Sequence, residues 1–303
     1  MMTDIYSHCT LCPRECGADR YSSKGFCGEG SEIRIARAEL HQWEEPCLSP
    51  GGRSGTVFFS GCQLGCVYCQ NYRLSSEHMG YMLSERQLAD TFLRLKDLGA
   101  ENIDLVTPTH FVPSIIKALD MVKHKLSLPV IYNCGGYEKT ETLEMLRGYV
   151  DIFLPDMKYM DSSLSSRLSK APDYFSGFGV MLDKMLEITG KPCFDSTGKM
   201  LSGVIVRHLV LPGCRHDSAA LMQWLGENYS ADSLLVSLMN QFTPVFKAAE
   251  YGLSRRTFTF EYQTALKELK KTGFDGFVQE RSSAAVEYIP VFYDHLYYDL
   301  SNT

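Results

Sequence analysis

The chain has 303 residues, enough to bury a sizeable core as one large α/β domain or two small ones. With 45% hydrophobic and 22% charged residues, a formal net charge of −6 and no apolar run of membrane-helix length, neither a nucleic-acid backbone nor a bilayer is the expected partner. Eleven cysteines and an opening "MMTDIYSHCTLCPREC" without a signal-peptide core predict a cytoplasmic chain whose thiols bind metal rather than form a disulfide scaffold.

Residues 1–50 read as an irregular, cysteine-rich metal-binding cap. "CTLCPREC" and "GFCG" supply Cys9, Cys12, Cys16 and Cys27. Four thiolates can close a tetrahedral site, which suits zinc or an auxiliary [4Fe–4S] cluster equally. Either would staple a segment with few apolar residues of its own. "CLSPGGRSG" at 47–55 is turn material.

Strands and helices then alternate. "TVFFS" at 56–60 is a short buried strand, and "SERQLADTFLRLKDL" at 84–98 a helix capped by Ser84 with Gln87 three residues in. Strands follow at 102–108, 128–136, 150–159, 203–213 and 233–242, with helices at 111–126, 140–149, 177–189, 217–229 and within 257–273. "FDGFVQE" at 274–280 reads as a last short strand. Such alternation predicts a parallel sheet with helical crossovers. No dinucleotide fingerprint follows the first strand. The expected fold is α/β, a partial (β/α)6 TIM-like barrel over 51–280, with residues 281–303 as a C-terminal tail packed on it. Barrel chemistry sits at the C-terminal strand ends, and here those ends read "SGC", "TPTH", "NCGG", "PDMK", "RHLVLPG" and "MNQF".

The first of these ends opens "GCQLGCVYCQ", with Cys62, Cys66 and Cys69. A structural zinc site wants four ligands, and three with no fourth nearby leave a position open. Thiolates also hold iron–sulfur clusters. A cubane tied at three irons keeps one iron free, and Gly61 and Gly65 let the backbone come close.

The pattern C-x3-C-x2-C in "CQLGCVYC", with Tyr68 before the last cysteine, resembles the radical S-adenosylmethionine (SAM) superfamily. The resemblance implies a [4Fe–4S] cluster on Cys62, Cys66 and Cys69, SAM chelated at the unique iron, and a 5′-deoxyadenosyl radical that abstracts hydrogen from a substrate. The stretches "LCPREC", "LVTPTHFVPSI", "YNCGGYE", "DIFLPDMKY", "RHLVLPG" and "FVQE…YIPVF" are similar to the PflX-like branch related to the pyruvate formate-lyase activating enzymes. That likeness implies a flavodoxin or ferredoxin as electron donor. It makes a glycine of a glycyl-radical protein one expected substrate, with a small molecule or a peptide as the alternative. By position, Asn133 and Lys158 would meet the SAM carboxylate or ribose, and Gly135 would let the turn pass close. Where the wider family has Gly-Gly-Glu for the SAM ammonium, this chain has "TPTH", which leaves Thr109 or backbone carbonyls for that task.

Other residues carry weaker signals. His110 is a candidate proton donor, or else a satisfied histidine at a helix start. Arg207 and His208 are adjacent on one strand, so alternation sends only one inward. The competing reading of the whole chain is a non-enzymatic zinc-binding interaction module.

Overall fold

In the computed structural model, residues 4–42 and 44–279 are described. Among the described residues ten strands form: β1 (Ile33–His41), β2 (Ser54–Phe59), β3 (Tyr81–Leu83), β4 (Asn102–Val106), β5 (Val130–Cys134), β6 (Ile152–Pro155), β7 (Cys193–Phe194), β8 (Met200–Leu209), β9 (Leu235–Met239) and β10 (Gly276–Val278). Eight α-helices accompany them among the described residues: α1 (Tyr72–Ser75), α2 (Glu85–Asp97), α3 (Val112–Leu126), α4 (Thr140–Met145), α5 (Ser162–Ser169), α6 (Phe178–Thr189), α7 (Arg215–Asn228) and α8 (Thr259–Thr272).

The strands lie in the order β10-β9-β8-β6-β5-β4-β2-β1-β3. From β2 to β10 every neighbour on that path is parallel, whereas β1 runs antiparallel to β2 and to β3. Successive parallel strands are therefore neighbours, joined by crossovers that carry the helices, as in a TIM-type barrel. The path does not close on itself, so the barrel is partial, as expected.

Period-two alternation sorts the strand side chains. Val57, Phe59, Ile103, Leu105, Tyr132, Phe153, Val204, Val206, Val236 and Leu238 face outward into the main core beneath the helices. Ile131, Ile152, Leu154, Ile205 and Leu235 face inward and pack with Cys47, Leu48 and Met200 as a separate apolar plug. Most plug residues are fully buried, and each such side chain contributes roughly 1.5–3 kcal/mol.

The segment after β1 passes beneath this plug. The Asn102 amide donates to the Leu48 carbonyl at 2.8 Å, and the Met200 amide to the Cys47 carbonyl at 2.8 Å. Both donors stand at the N-terminal ends of their strands, so residues 47–48 close the bottom of the barrel.

Two elements depart from the sequence expectation. The cap is not irregular throughout, because β1 occupies its last third. A register shift between Ile35 and Arg37 moves the buried positions from Ile33 and Ile35 to Ala36 and Ala38, which breaks the simple alternation a strand would show. The serine-rich "SSLSSRLS" forms α5, capped by the Asp161 carboxylate, which accepts from the Ser163 amide at 2.6 Å, and anchored by the buried Leu168. The tail at 281–303 lies outside the described residues. Among the described residues no helix is long and apolar enough to cross a membrane.

Candidate functional site

The cysteine loop begins where β2 ends. Gly61 takes φ +83°, and a Cβ there would stand 2.5 Å from the Glu29 Cγ and 2.7 Å from the Cys27 carbonyl oxygen. Only glycine lets the loop leave the strand this close to the cap. Each cysteine sulfur then meets a donor. The Leu64 amide lies 3.4 Å from Cys62 Sγ, the Ser169 hydroxyl 2.9 Å from Cys66 Sγ and the Ser75 hydroxyl 3.3 Å from Cys69 Sγ. Ser169 is held in turn by the Tyr159 hydroxyl at 2.7 Å, and Tyr159 meets the Tyr68 hydroxyl at 2.5 Å. Burial pushes the Cys69 thiol up to about 11 and Cys62 higher still. Buried thiols such as those of Cys62 and Cys69 suit a cationic metal centre, which would draw off their protons.

One cap arginine, Arg14, ties this loop to α5, and a second, Arg20, ties the cap to the turn after β4. Arg14 Nε donates to the Gln63 carbonyl at 2.9 Å, Nη2 to the Ser169 carbonyl at 3.3 Å, and Nη1 to the Lys170 carbonyl. Arg20 is 1% exposed and donates to the His110 and Gly30 carbonyls, with its guanidinium 4.7 Å from the Tyr6 ring centre.

Cys66, Tyr68 and Cys69 border a cavity of about 710 Å³ in the mouth of the barrel. The strands supply its polar wall from the residues one inward step above the plug: Asn133 on β5, Asp156 just past β6, Arg207 on β8 and Ser237 on β9. Arg207 Nε donates to Asp156 Oδ1 at 3.0 Å and Nη2 to Asn133 Oδ1 at 2.5 Å. Lys158 Nζ donates to Asp156 Oδ2 at 2.6 Å, and Asn133 Nδ2 to Asp104 Oδ2 at 3.3 Å. Burial opposes the charges of Lys158, Arg207 and Asp156, but their mutual attraction outweighs it, so all three stay ionised.

Of the residues singled out in the sequence, Tyr68, Asn133, Lys158 and Arg207 converge on this cavity with two of the three cysteines. The rest go elsewhere. His208 takes the outward face of β8, its Nδ1 2.6 Å from the Met157 carbonyl and its Nε2 2.9 Å from the Ser218 hydroxyl. His110 Nε2 is 2.6 Å from the Ser60 carbonyl, and burial lowers its pKa to about 3, so it is neutral and packed. Thr109 accepts from Gln63 Nε2 at 2.9 Å and donates to Glu138 Oε1 at 3.1 Å, beneath the loop. Gly135 makes room for Leu64, whose Cδ1 would be 2.7 Å from a Cβ there. These four do not line the cavity.

In the cap, Cys16 and Cys27 sulfurs would lie 3.5 and 3.4 Å from a Cβ on Gly25, and burial pushes the Cys12 thiol up to about 12. Among the described residues, no three His, Cys, Asp or Glu side chains group tightly enough to hold a single ion. Sequence reasoning missed Glu44, Glu45 and Asp104, which have no motif around them.

The comparisons agree with this geometry. Residues 56–174 match the family model described as the Radical SAM superfamily. An uncharacterized protein of Methanocaldococcus jannaschii, MJ0674, is 29% identical over 285 residues, which is 90% of this chain and 77% of that one. Among solved structures, a radical SAM methyltransferase from Sphaerobacter thermophilus superposes with a TM-score of 0.52 at 14% identity, over 75% of this chain and 66% of its own. HydG, a maturase of the [FeFe]-hydrogenase, gives 0.52 at 12% identity, over 76% and 53%. The chain spans at most about two thirds of either solved protein, and at these identities the likeness is one of fold. The stretch from β2 through the cysteine loop to α5, within residues 56–174, is thus similar to the Radical SAM superfamily model.

Proposed function

We propose that the protein cleaves SAM reductively and removes a hydrogen atom from a small molecule or peptide side chain seated in the barrel mouth. The observation that carries this reading is the opening of the cysteine loop onto a cavity walled by Asn133, Asp156, Lys158 and Arg207. The donor set fits a [4Fe–4S] cluster: three soft thiols, one hydrogen-bond donor on each sulfur, and a glycine on the loop between Cys62 and Cys66. Cys62, Cys66 and Cys69 would hold it, and its chemistry would be one-electron cleavage of SAM to methionine and a hydrogen-abstracting 5′-deoxyadenosyl radical, fed by a flavodoxin or ferredoxin.

The chain's own residues position and shield. Lys158, kept cationic beside Asp156, offers a point charge to a carboxylate. The Asn133 amide, already oriented by Arg207 and Asp104, offers a hydrogen bond to a ribose or carboxylate. Tyr68 and Phe58 present apolar surface that limits water around the reacting carbon. The Ser169 and Tyr159 hydroxyls fix Cys66 in place. Thr109 is bound to Glu138 and Gln63, which leaves backbone carbonyls to meet the SAM ammonium. The four cap cysteines are proposed to hold a second metal group, zinc or iron–sulfur.

The test is anaerobic reconstitution followed by iron, sulfide and zinc analysis, with 5′-deoxyadenosine measured after reduction in the presence of SAM. A brown protein that yields 5′-deoxyadenosine supports the reading. A colourless zinc protein without cleavage overturns it in favour of a binding module. A glycyl radical formed on a partner protein, seen by electron paramagnetic resonance, would replace the small-molecule or side-chain substrate.

A further inference from the structure

The floor of the cavity holds more carboxyl groups than its neighbouring cations can pair. Glu44 and Glu45 reach up from the segment that closes the barrel bottom, and both line the cavity. Asp104, on β4, is fully buried directly behind Asn133. Together with Asp156 they make four carboxylates against two cations, Arg207 and Lys158. Lys158 and the Arg207 Nε are committed to Asp156, and the approach of Arg207 to Glu44 is a long 4.0 Å. Among the described residues, the other titratable groups lining the cavity are Cys66, Tyr68 and Cys69, which bring no positive charge, and His41, whose pKa burial lowers.

Two carboxyl oxygens are left without any hydrogen-bond partner among the described residues: Glu45 Oε2 and Asp104 Oδ1. Glu45 is 9% exposed and Asp104 0%. Buried acceptors in this state are costly, by about 1–3 kcal/mol each and more when charged. Glu44 also lies against Asp104, and burial together with the Glu44 charge pushes the Asp104 carboxyl well above its usual range, so the pair holds a proton between them while no cation is bound. Such an arrangement is relieved by a bound cation.

We propose that Glu44, Glu45 and Asp104 form a recognition site for a cationic group, an ammonium or guanidinium, on the substrate. The proposal rests on the enzymatic reading above and names the substrate class within it. The substrate, rather than SAM, supplies the cation because of depth. Cys62, Cys66 and Cys69 lie beyond the C-terminal end of β2, whereas Glu44 and Glu45 enter from the opposite end, next to the Cys47–Leu48 closure. A six-residue strand spans roughly 20 Å between those ends, and from the lower one the carboxyl groups reach up only as far as Arg207 and Asn133. A molecule anchored by its cation on the floor would extend past Asn133 and Arg207 toward the cysteine loop.

The experiment is calorimetric titration of the cluster-loaded full-length protein, under anaerobic conditions, with agmatine, 1,4-diaminobutane and neutral 1,4-butanediol, each with and without SAM. At least one of the two cations should bind at least about tenfold more tightly than the diol, and Glu45→Gln should remove that preference. Asp104→Asn is the second variant, should the first fail to fold. Equal binding of all three probes, or an undiminished preference in both variants, would overturn the proposal. A tenfold loss of SAM affinity in Glu45→Gln with amine binding unchanged would assign the carboxylates to the SAM ammonium and equally overturn it. Titration needs no turnover, so a protein that captured amines but never cleaved SAM would defeat the enzymatic reading and leave the cation site in place.

Discussion

The lower and upper halves of the barrel interior are built by the same strands from opposite materials. On β5, β6, β8 and β9 the inward residues Ile131, Leu154, Ile205 and Leu235 belong to a dry plug. Two residues further along each strand, Asn133, Asp156, Arg207 and Ser237 form the cavity wall. One pleat step thus separates a layer selected for packing from a layer selected for chemistry. The plug gives the polar layer a rigid base, and the polar layer's ion pairs stay fixed because the strands beneath them cannot shift.

Substitutions in the two layers should behave differently. Cys66→Ala should abolish 5′-deoxyadenosine production and lower bound iron, with the fold retained by circular dichroism; full activity in this variant would refute the cluster assignment. Leu154→Ala, in the plug, should do the reverse. It should destabilise by about 2–5 kcal/mol in denaturant titration and affect activity only through the folded fraction. A loss under 1 kcal/mol would mean that the plug is not the base described here.

Glu45→Gln should stabilise the ligand-free protein. Burial lifts this carboxyl from 4.5 to about 7, with Arg207 opposing and Glu44 adding to the rise. An acid whose folded pKa is raised holds more protons folded than unfolded between those values. Its contribution to stability therefore declines as pH climbs from about 4.5 to about 7 and is flat above. At pH 8 the variant should gain up to about 3 kcal/mol, and below pH 4.5 almost nothing. A thermal melt series across pH reads this directly, and a variant less stable than the parent at pH 8 would contradict it. The smallest effect is expected from Ser169→Ala. Loss of the 2.9 Å hydrogen bond to Cys66 Sγ should shift the cluster to a slightly lower reduction potential in a spectroelectrochemical titration, with iron content unchanged.

Much of the upper layer was legible in the sequence, because cysteine spacing and strand-end polarity survive as local patterns. Cys62, Cys66, Cys69, Tyr68, Asn133 and Lys158 all stood out that way. The choice between Arg207 and His208 was open until β8 acquired a register against β6 and β9, which turns Arg207 inward. Thr109 was misleading because a 3-10 turn at Thr109–Phe111 directs its hydroxyl to Glu138, a residue twenty-nine positions away that no local window relates to it. Glu44 and Glu45 were invisible for the same reason. They sit in a connection without periodicity, and only the closure of the barrel bottom brings them beneath Arg207. The bulge in β1 hid a strand by changing its parity midway.

The two guanidinium groups of the cap bear on how the protein is assembled. Arg14 joins the carbonyl next to Cys62 to the carbonyls that end α5, and Arg20 joins the cap to the turn after β4. The thiol loop is therefore strapped from outside by residues that precede it in the chain. A cap that has not folded leaves the Gln63 carbonyl and the end of α5 without the Arg14 hydrogen bonds, so the placement of the thiol loop depends on the amino-terminal segment.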